Sequence, residues 1–488
     1  MEQFKPSSEE KPSENSLTMR LGKRIEAKFD GGLISSDGGS LLVRKADREL
    51  ELTEMAVLCL TDWRQGSAVK HSLQALFLQR LVGLCTGAED CNDAAVLRFD
   101  PMHKLAVGKL PSESPLASQP TLSRFENSVD STALKALHEL LVHVFVRKHK
   151  KPPKVVKLDL DTTCDETYGY QQLTFYNGFY KTDCYVPLFI FTDEGFPLAA
   201  LLRPGNAAPG EGALRMLKMV VHNLRLSWPE VQIEFKADSA FALPELYEYC
   251  EANNVTYYIS LKPNASVEYH TKELVVECKT LFEELTGQPP VTLRHGKMCK
   301  KEVRRKWRQK EERLRFSSKE EGRMQEHFEQ ELEIRKFREF RYSARGWSHE
   351  RRIVARVTYT NTGPEVRFVV TNSTLRSARK VYERYCMRSR CENWIKDLKL
   401  YLKSGRTSCQ EFNANQFRLL LHTFAYTLLW TIRKAAGMGF ETLETVRNRL
   451  LKVGVRIRET SHAVFLQFPS MHPWKELFER SWAKLAPE

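Results

Sequence analysis

Two short apolar runs in this sequence end in carboxylates. Val155-Val156-Lys157-Leu158-Asp159-Leu160-Asp161 leads into Thr162-Thr163, and Val231-Gln232-Ile233-Glu234-Phe235-Lys236-Ala237 leads into Asp238. Alternating β-branched and apolar residues read as a buried strand. An acid at the strand tip is costly to bury unless a cation is paired with it, and a divalent metal is a usual partner. For the first run alone, a strand-to-turn junction in which Asp159 and Asp161 cap backbone amides reads equally well. The second run ends the same way, which favours a metal site. A third acid comes from a stretch with helical spacing, in which Tyr385, Arg388, Glu392 and Lys399 fall within roughly a 60° arc at 3.6 residues per turn. A surface ion pair between Arg388 and Glu392 would explain two of these four and leave Tyr385 and Lys399 idle. Three carboxylates, Asp161, Asp238 and Glu392, suit two divalent cations about 4 Å apart that activate water and stabilise a leaving oxygen on phosphorus. Tyr385, Arg388 and Lys399 would steady the phosphates beside them.

The elements that must position these residues follow from the rest of the chain. Its 488 residues leave room for several domains, and 42% hydrophobic with 28% charged residues is the balance of a globular protein. Lys and Arg number 75 against 61 acids, a formal charge of +14, which favours a polyanionic partner held by salt-sensitive contacts. Eleven scattered cysteines form no C-x-x-C pair and read as reduced thiols rather than a disulfide frame or zinc site. Met1 to Ser16 is charged and has no apolar core, so no signal peptide is expected. The apolar run Leu419–Ile432 is too short for a bilayer and reads as a core helix.

Residues 1–24 are rich in Glu, Lys, Ser and Pro and read as a disordered tail. Residues 25–150 open with two turns, Asp30-Gly31-Gly32 and Asp37-Gly38-Gly39, and continue as a mostly helical domain. Within it, Ser118-Gln119-Pro120 is a helix start that would present Thr121 and Arg124 to phosphate, or simply cap an ordinary helix. From 151 to 264 the pattern is three strands in a meander, then helix, strand, helix, strand. That order predicts an α/β fold with a ribonuclease-H-like core, a mixed sheet flanked by helices, in which the first and fourth strands lie together. Residues 265–376 read as an insertion domain, with a charged helical run Lys300–Arg338 followed by β-strands. Residues 377–440 return to the core as its second part, on a helix Leu375–Lys403 and a buried helix Asn413–Lys434. Residues 441–488 form a C-terminal segment.

Tyr385-Cys386-Met387-Arg388-Ser389-Arg390-Cys391-Glu392, closing at Lys399, resembles the Y-x2-R-x3-E-x6-K signature of the insertion-sequence-4 group of DDE transposases. Leu158-Asp159-Leu160-Asp161-Thr162-Thr163 resembles that group's first-aspartate motif, and Lys236-Ala237-Asp238-Ser239 its second. Phe29-Asp30-Gly31-Gly32, Leu116 to Arg124, Tyr176-Asn177-Gly178 and Arg367 to Asn372 are similar to blocks of the insertion-sequence-1380 family. The resemblance implies a DNA transposase that binds terminal inverted repeats and uses Asp161, Asp238 and Glu392, with two Mg²⁺ or Mn²⁺ ions, to nick DNA and transfer the freed 3′ hydroxyl. It implies double-stranded DNA as partner, both inverted repeats and target, and at least a homodimer in the DNA complex. No membrane partner is implied, and the expected location is the bacterial cytoplasm at the nucleoid. Relatives flip a base onto a tryptophan, which makes Trp347 a candidate DNA contact. Asp161 matches the first motif better than Asp159, which leaves Asp159 for the other side of the turn.

Two other readings fit parts of the pattern. Asp159-Leu160-Asp161-Thr162-Thr163 also matches the D-x-D-x-T loop of haloacid-dehalogenase-like phosphatases, with Asp159 as nucleophile and Asp161 as general acid. That fold requires a helix next, whereas Tyr185–Leu202 reads as a β meander. A catalytically inactive DNA-binding relative would keep the fold and lose the acids, all three of which are present.

Overall fold

The computed structural model describes residues 17–66, 69–286 and 333–485. The expected tail pairs from Leu17 onward. β1 (Leu17–Leu21) and β2 (Lys23–Ala27) form a hairpin turned at Gly22, whose positive φ suits a tight reversal. Alternation in Leu17-Thr18-Met19-Arg20-Leu21 corrects the disordered reading for these residues. β3 (Leu33–Ser35) follows, and then helices to Lys148.

The second Asp-Gly-Gly is a packing device. Gly38 and Gly39 donate their backbone amides to the carbonyls of Val453 and Leu451. A Cβ on Gly39 would lie 1.9 Å from the Leu450 carbonyl, so only glycine lets the two backbones meet. Asp37 beside them is buried, 2.9 Å from His103 Nε2 and 2.6 Å from Lys452 Nζ. These amides are occupied by protein carbonyls and make no phosphate cradle. The contact joins the N-terminal helices to the C-terminal segment, where β15 (Val455–Glu459) pairs with both β3 and β16 (Val464–Gln467).

The central sheet starts at β4 (Val155–Thr162). β5 (Asp165–Glu166), β6 (Phe175–Asn177) and β7 (Thr182–Tyr185) make a small separate sheet. The main sheet resumes with β8 (Leu188–Thr192), β9 (Pro197–Leu201), β10 (Gln232–Ala237) and β11 (Val255–Leu261), with helices Ala213–Ser227 and Pro244–Ala252 between the later strands. Strands β9-β8-β4-β10-β11 lie in that order, antiparallel through β8 and parallel from β4 to β10 to β11. Hydrophobic residues fill β8 and β9 on both faces, as a strand covered on both sides requires. This is the ribonuclease-H-like fold, with its first and fourth strands adjacent.

Residues 265–376 join that sheet directly. β12 (Ile334–Tyr342), β13 (Arg351–Thr360) and β14 (Gly363–Thr371) continue it past β11, giving eight strands. Leu274, Cys278 and Phe282 of the Lys272–Thr286 helix pack on Val357 and Tyr359 of β13. The charged run Lys300–Arg338 lies, up to residue 332, outside the described residues.

The Phe412–Ala436 helix is the hub. It packs on the Leu73–Thr86 and Ser131–Lys148 helices, on β9 and on the Lys475–Lys484 helix. It is buried almost all round, so its polar groups need partners. Arg418 pairs with Glu126, which also holds Arg80, and Arg433 pairs with Asp397. Thr423, Thr427 and Thr431 each donate to the carbonyl four residues back. Among the described residues no helix is long and apolar enough to cross a membrane.

Candidate active site

Parallel pairing of β4 with β10 sets Asp159 opposite Lys236 and Leu160 opposite Ala237. One step further along this register, Asp161 and Asp238 stand side by side where the strands end. Side chains two apart share a face of a sheet, so Asp159 and Asp161 point the same way, which corrects the expectation that they part at the turn. Asp159 is the deeper of the two. Its Oδ1 lies 2.6 Å from Lys236 Nζ, and both side chains are fully buried. Burial pushes Asp159 up to about 6 against the pull of Lys236.

Asp161 is half-buried and receives Arg388 Nη1 at 2.8 Å and the Thr162 amide at 2.9 Å. Burial raises its pKa, Arg388 and the Thr162 amide pull it down, and neighbouring Asp238 pushes it up. Burial also opposes the charge on Arg388, yet Asp161, Tyr385 and Asp238 hold it firmly protonated. Asp238 begins a single 3-10 turn and accepts from the Ala240 amide at 2.8 Å.

The expected single helix Leu375–Lys403 is in three pieces: Ala378–Cys386, Ser389–Lys396 and a π turn Asp397–Tyr401. Arg388 therefore stands at the mouth of the second piece. Cys391, Trp394 and Ile395 seat that piece on the sheet, with Cys391 Sγ 3.8 Å from the Asp159 carbonyl and Trp394 5.7 Å from the Phe191 ring. Gly195 makes room for Trp394: its φ is +86°, and a Cβ there would lie 2.6 Å from the indole nitrogen. The π turn carries Lys399 to Thr163 Oγ1 at 3.2 Å and to the Cys164 carbonyl and Asp165. Asp165 is wholly buried; burial raises its pKa and Lys399 pulls it back.

The four-residue helical face thus divides. Arg388 reaches Asp161, Tyr385 packs beside Tyr382, and Lys399 serves Asp165. Glu392 stands one turn beyond Arg388, exposed at 69% and 3.4 Å from Lys396. Among the described residues no three His, Cys, Asp or Glu side chains are grouped closely enough to hold a metal ion. Asp161 and Asp238 supply adjacent hard oxygen donors of the kind Mg²⁺ or Mn²⁺ takes, so the donor chemistry fits, and Glu392 would have to leave Lys396 to add a third ligand.

The other candidates sit elsewhere. Thr121 and Arg124 are on the Gln119–Glu126 helix, 3.4 Å apart, on the wall of an 890 Å³ cavity shared with Lys70, His71 and Arg98. None of the three acids lines it. Trp347 is half-buried, edge to face with Tyr247 and Tyr342 and with Arg351 over its ring. Sequence reasoning did not find the Lys236–Asp159 pair, although the matching i, i+2 spacing before both strand ends was visible, nor the β5–β7 sheet beside Asp161.

A ribonuclease-H-like sheet with paired carboxylates at its adjacent central strand ends defines a class of phosphoryl-transfer proteins. The model of the family "Transposase DDE domain group 1" matches residues 17–488, and the chain belongs to that family. No curated protein matches the chain. Among solved structures it resembles the piggyBac transposase in a synaptic complex with hairpin DNA, at 10% identity and a TM-score of 0.38, over 84% of this chain and 79% of that one.

Proposed function

We propose that the protein is an insertion-sequence transposase of the insertion-sequence-1380 type. It binds the terminal inverted repeats of its own element and cleaves and transfers DNA strands with Asp161, Asp238 and Glu392. The observation that carries this reading is the side-by-side placement of Asp161 and Asp238, with Arg388 anchored on the first. Two Mg²⁺ or Mn²⁺ ions, when bound, supply an activated water and a charge sink for the leaving oxygen. The chain's own part is to hold the acids and orient the phosphate. Arg388 is a fork-shaped donor suited to a phosphate oxygen, and Tyr385 keeps it aimed. Lys399 fixes the turn after β4 through Thr163 and Asp165, and adds positive charge at the mouth.

The helical region 25–150, with Thr121 and Arg124 on its cavity wall, takes the DNA ends, and a homodimer holds two ends together. A protein that acts on chromosomal DNA would reside at the bacterial nucleoid. Supporting this over a haloacid-dehalogenase-like phosphatase, Asp159 is sealed in a pair with Lys236, where a nucleophile would need access to substrate. Asp161→Asn, Asp238→Asn and Glu392→Gln should each abolish Mg²⁺-dependent nicking of DNA carrying the element's ends while end binding stays within a few-fold of wild type. Unchanged nicking by any one of them would refute the assignment of that acid.

A further inference from the structure

Between β4 and β8 the chain leaves the main sheet to build the small β5–β7 sheet, and the loops of this flap hold aromatic rings open to water. Tyr170 is 101% exposed, Tyr168 89% and Phe179 85%, with Tyr176 also exposed. So many bare rings within twelve residues are unusual for a surface with no partner. The flap is also firmly held. The Asn177 side chain accepts the amides of Phe179 and Tyr180 at 3.0 and 3.2 Å and donates to the Gly205 carbonyl at 2.7 Å. The Gln172 amide donates to the Gln410 carbonyl, and Gln172 Oε1 accepts the Phe412 amide. Tyr176-Asn177-Gly178, which the function has not otherwise used, is thus a device for fixing the tip.

The flap adjoins the carboxylates. It follows Thr162 and Thr163 directly, and Lys399 ties its base to the site, 3.2 Å from Thr163 Oγ1 and 3.4 Å from Asp165 of β5. We infer that the flap is a stacking platform for the bases of an unpaired DNA strand lying at the carboxylate site. This rests on the reading of the protein as a DNA-cutting transposase. In duplex DNA the base faces are covered by their neighbours, so only unpaired nucleotides offer flat apolar surfaces to Tyr170 and Phe179. A backbone held at Asn177 and Gln172 loses little freedom on binding.

The test uses the full-length protein in EDTA, with a fluorescein-labelled oligothymidylate and a duplex of equal length followed by anisotropy. Tyr170→Ala with Phe179→Ala should weaken oligothymidylate binding about tenfold or more, the scale of one or two lost stacks. Duplex binding should stay within twofold. Tyr170→Phe with Phe179→Tyr, which keeps both rings, should bind as wild type. Oligothymidylate binding unchanged by the alanine pair overturns the inference and leaves the transposase reading standing. So does an equal loss for both DNAs, or a wild type that binds only duplex. A wild type that binds neither DNA overturns both. Alanine substitutions that dissociate a dimer in sedimentation while sparing oligothymidylate binding would make the flap a contact between copies and overturn the base-stacking role.

Discussion

Lys236 and Asp159 face each other across two parallel strands, 2.6 Å apart and out of reach of water, directly beneath the carboxylates of Asp161 and Asp238. A charge pair in such a place is poorly compensated if either half is removed. Lys236→Met should therefore cost about 3–5 kcal/mol of stability. The joint variant Asp159→Leu, Lys236→Met should recover most of it, as paired apolar replacements often do. Urea denaturation of the three proteins checks this. Equal losses for the single and joint variants would mean that packing, not the unpaired charge, is what matters.

Gly195 governs the acid on the helix from a distance. Alanine there meets both a left-handed backbone and the Trp394 indole, and overpacking of this kind costs about 1–3 kcal/mol. Because Trp394 seats the helix bearing Glu392, Gly195→Ala should lower nicking far more than it lowers DNA binding. Both can be measured on one preparation. A variant that loses stability but nicks at the wild-type rate would uncouple Trp394 from the site.

On the proposed reading Lys399 has two duties, and they can be separated. Lys399→Ala leaves Asp165 buried and unpaired, so it should lose stability as well as nicking. Adding Asp165→Asn to Lys399→Met should restore the thermal midpoint and leave nicking low. Nicking that returned with stability would reduce Lys399 to a structural lysine.

Glu126 predicts the acid limb of stability. Burial alone would raise its pKa, but Arg80 and Arg418 on either side bring it below the ordinary value. A carboxylate depressed in the folded state stabilises above its unfolded pKa, and that contribution fades as pH falls through the folded value. Wild type should therefore lose stability from about pH 5 downward. Glu126→Gln should be less stable at neutral pH and lose less on acidification. Parallel pH profiles for the two proteins would contradict this.

The order of strands was legible because its elements are long and strongly patterned. Val155–Leu160, Val231–Ala237 and the Asn413–Lys434 helix lie where periodicity puts them, within a few residues. The adjacency of Asp161 and Asp238 followed from that order. What stayed hidden depends on contacts distant in sequence. The break at Met387–Arg388 and the π turn at Asp397–Tyr401 interrupt a stretch whose helical spacing looks continuous, so an ideal wheel overstates how closely Tyr385, Arg388, Glu392 and Lys399 share a face. Gly39 read as an ordinary turn because its reason, the Leu450 carbonyl, lies hundreds of residues away. The edge contacts of Trp347 with Tyr247 and Tyr342 were hidden for the same reason.

The central claim is that Asp161, Asp238 and Glu392 act on the same cations. The direct test is a Mn²⁺ titration followed by electron paramagnetic resonance, on full-length protein bound to DNA carrying the element's ends. Wild type should take up two ions per active site, and Asp161→Asn, Asp238→Asn and Glu392→Gln should each lose at least one while remaining bound to DNA. Glu392→Gln binding Mn²⁺ with wild-type affinity and number would contradict the account, and would leave Glu392 as the surface partner of Lys396.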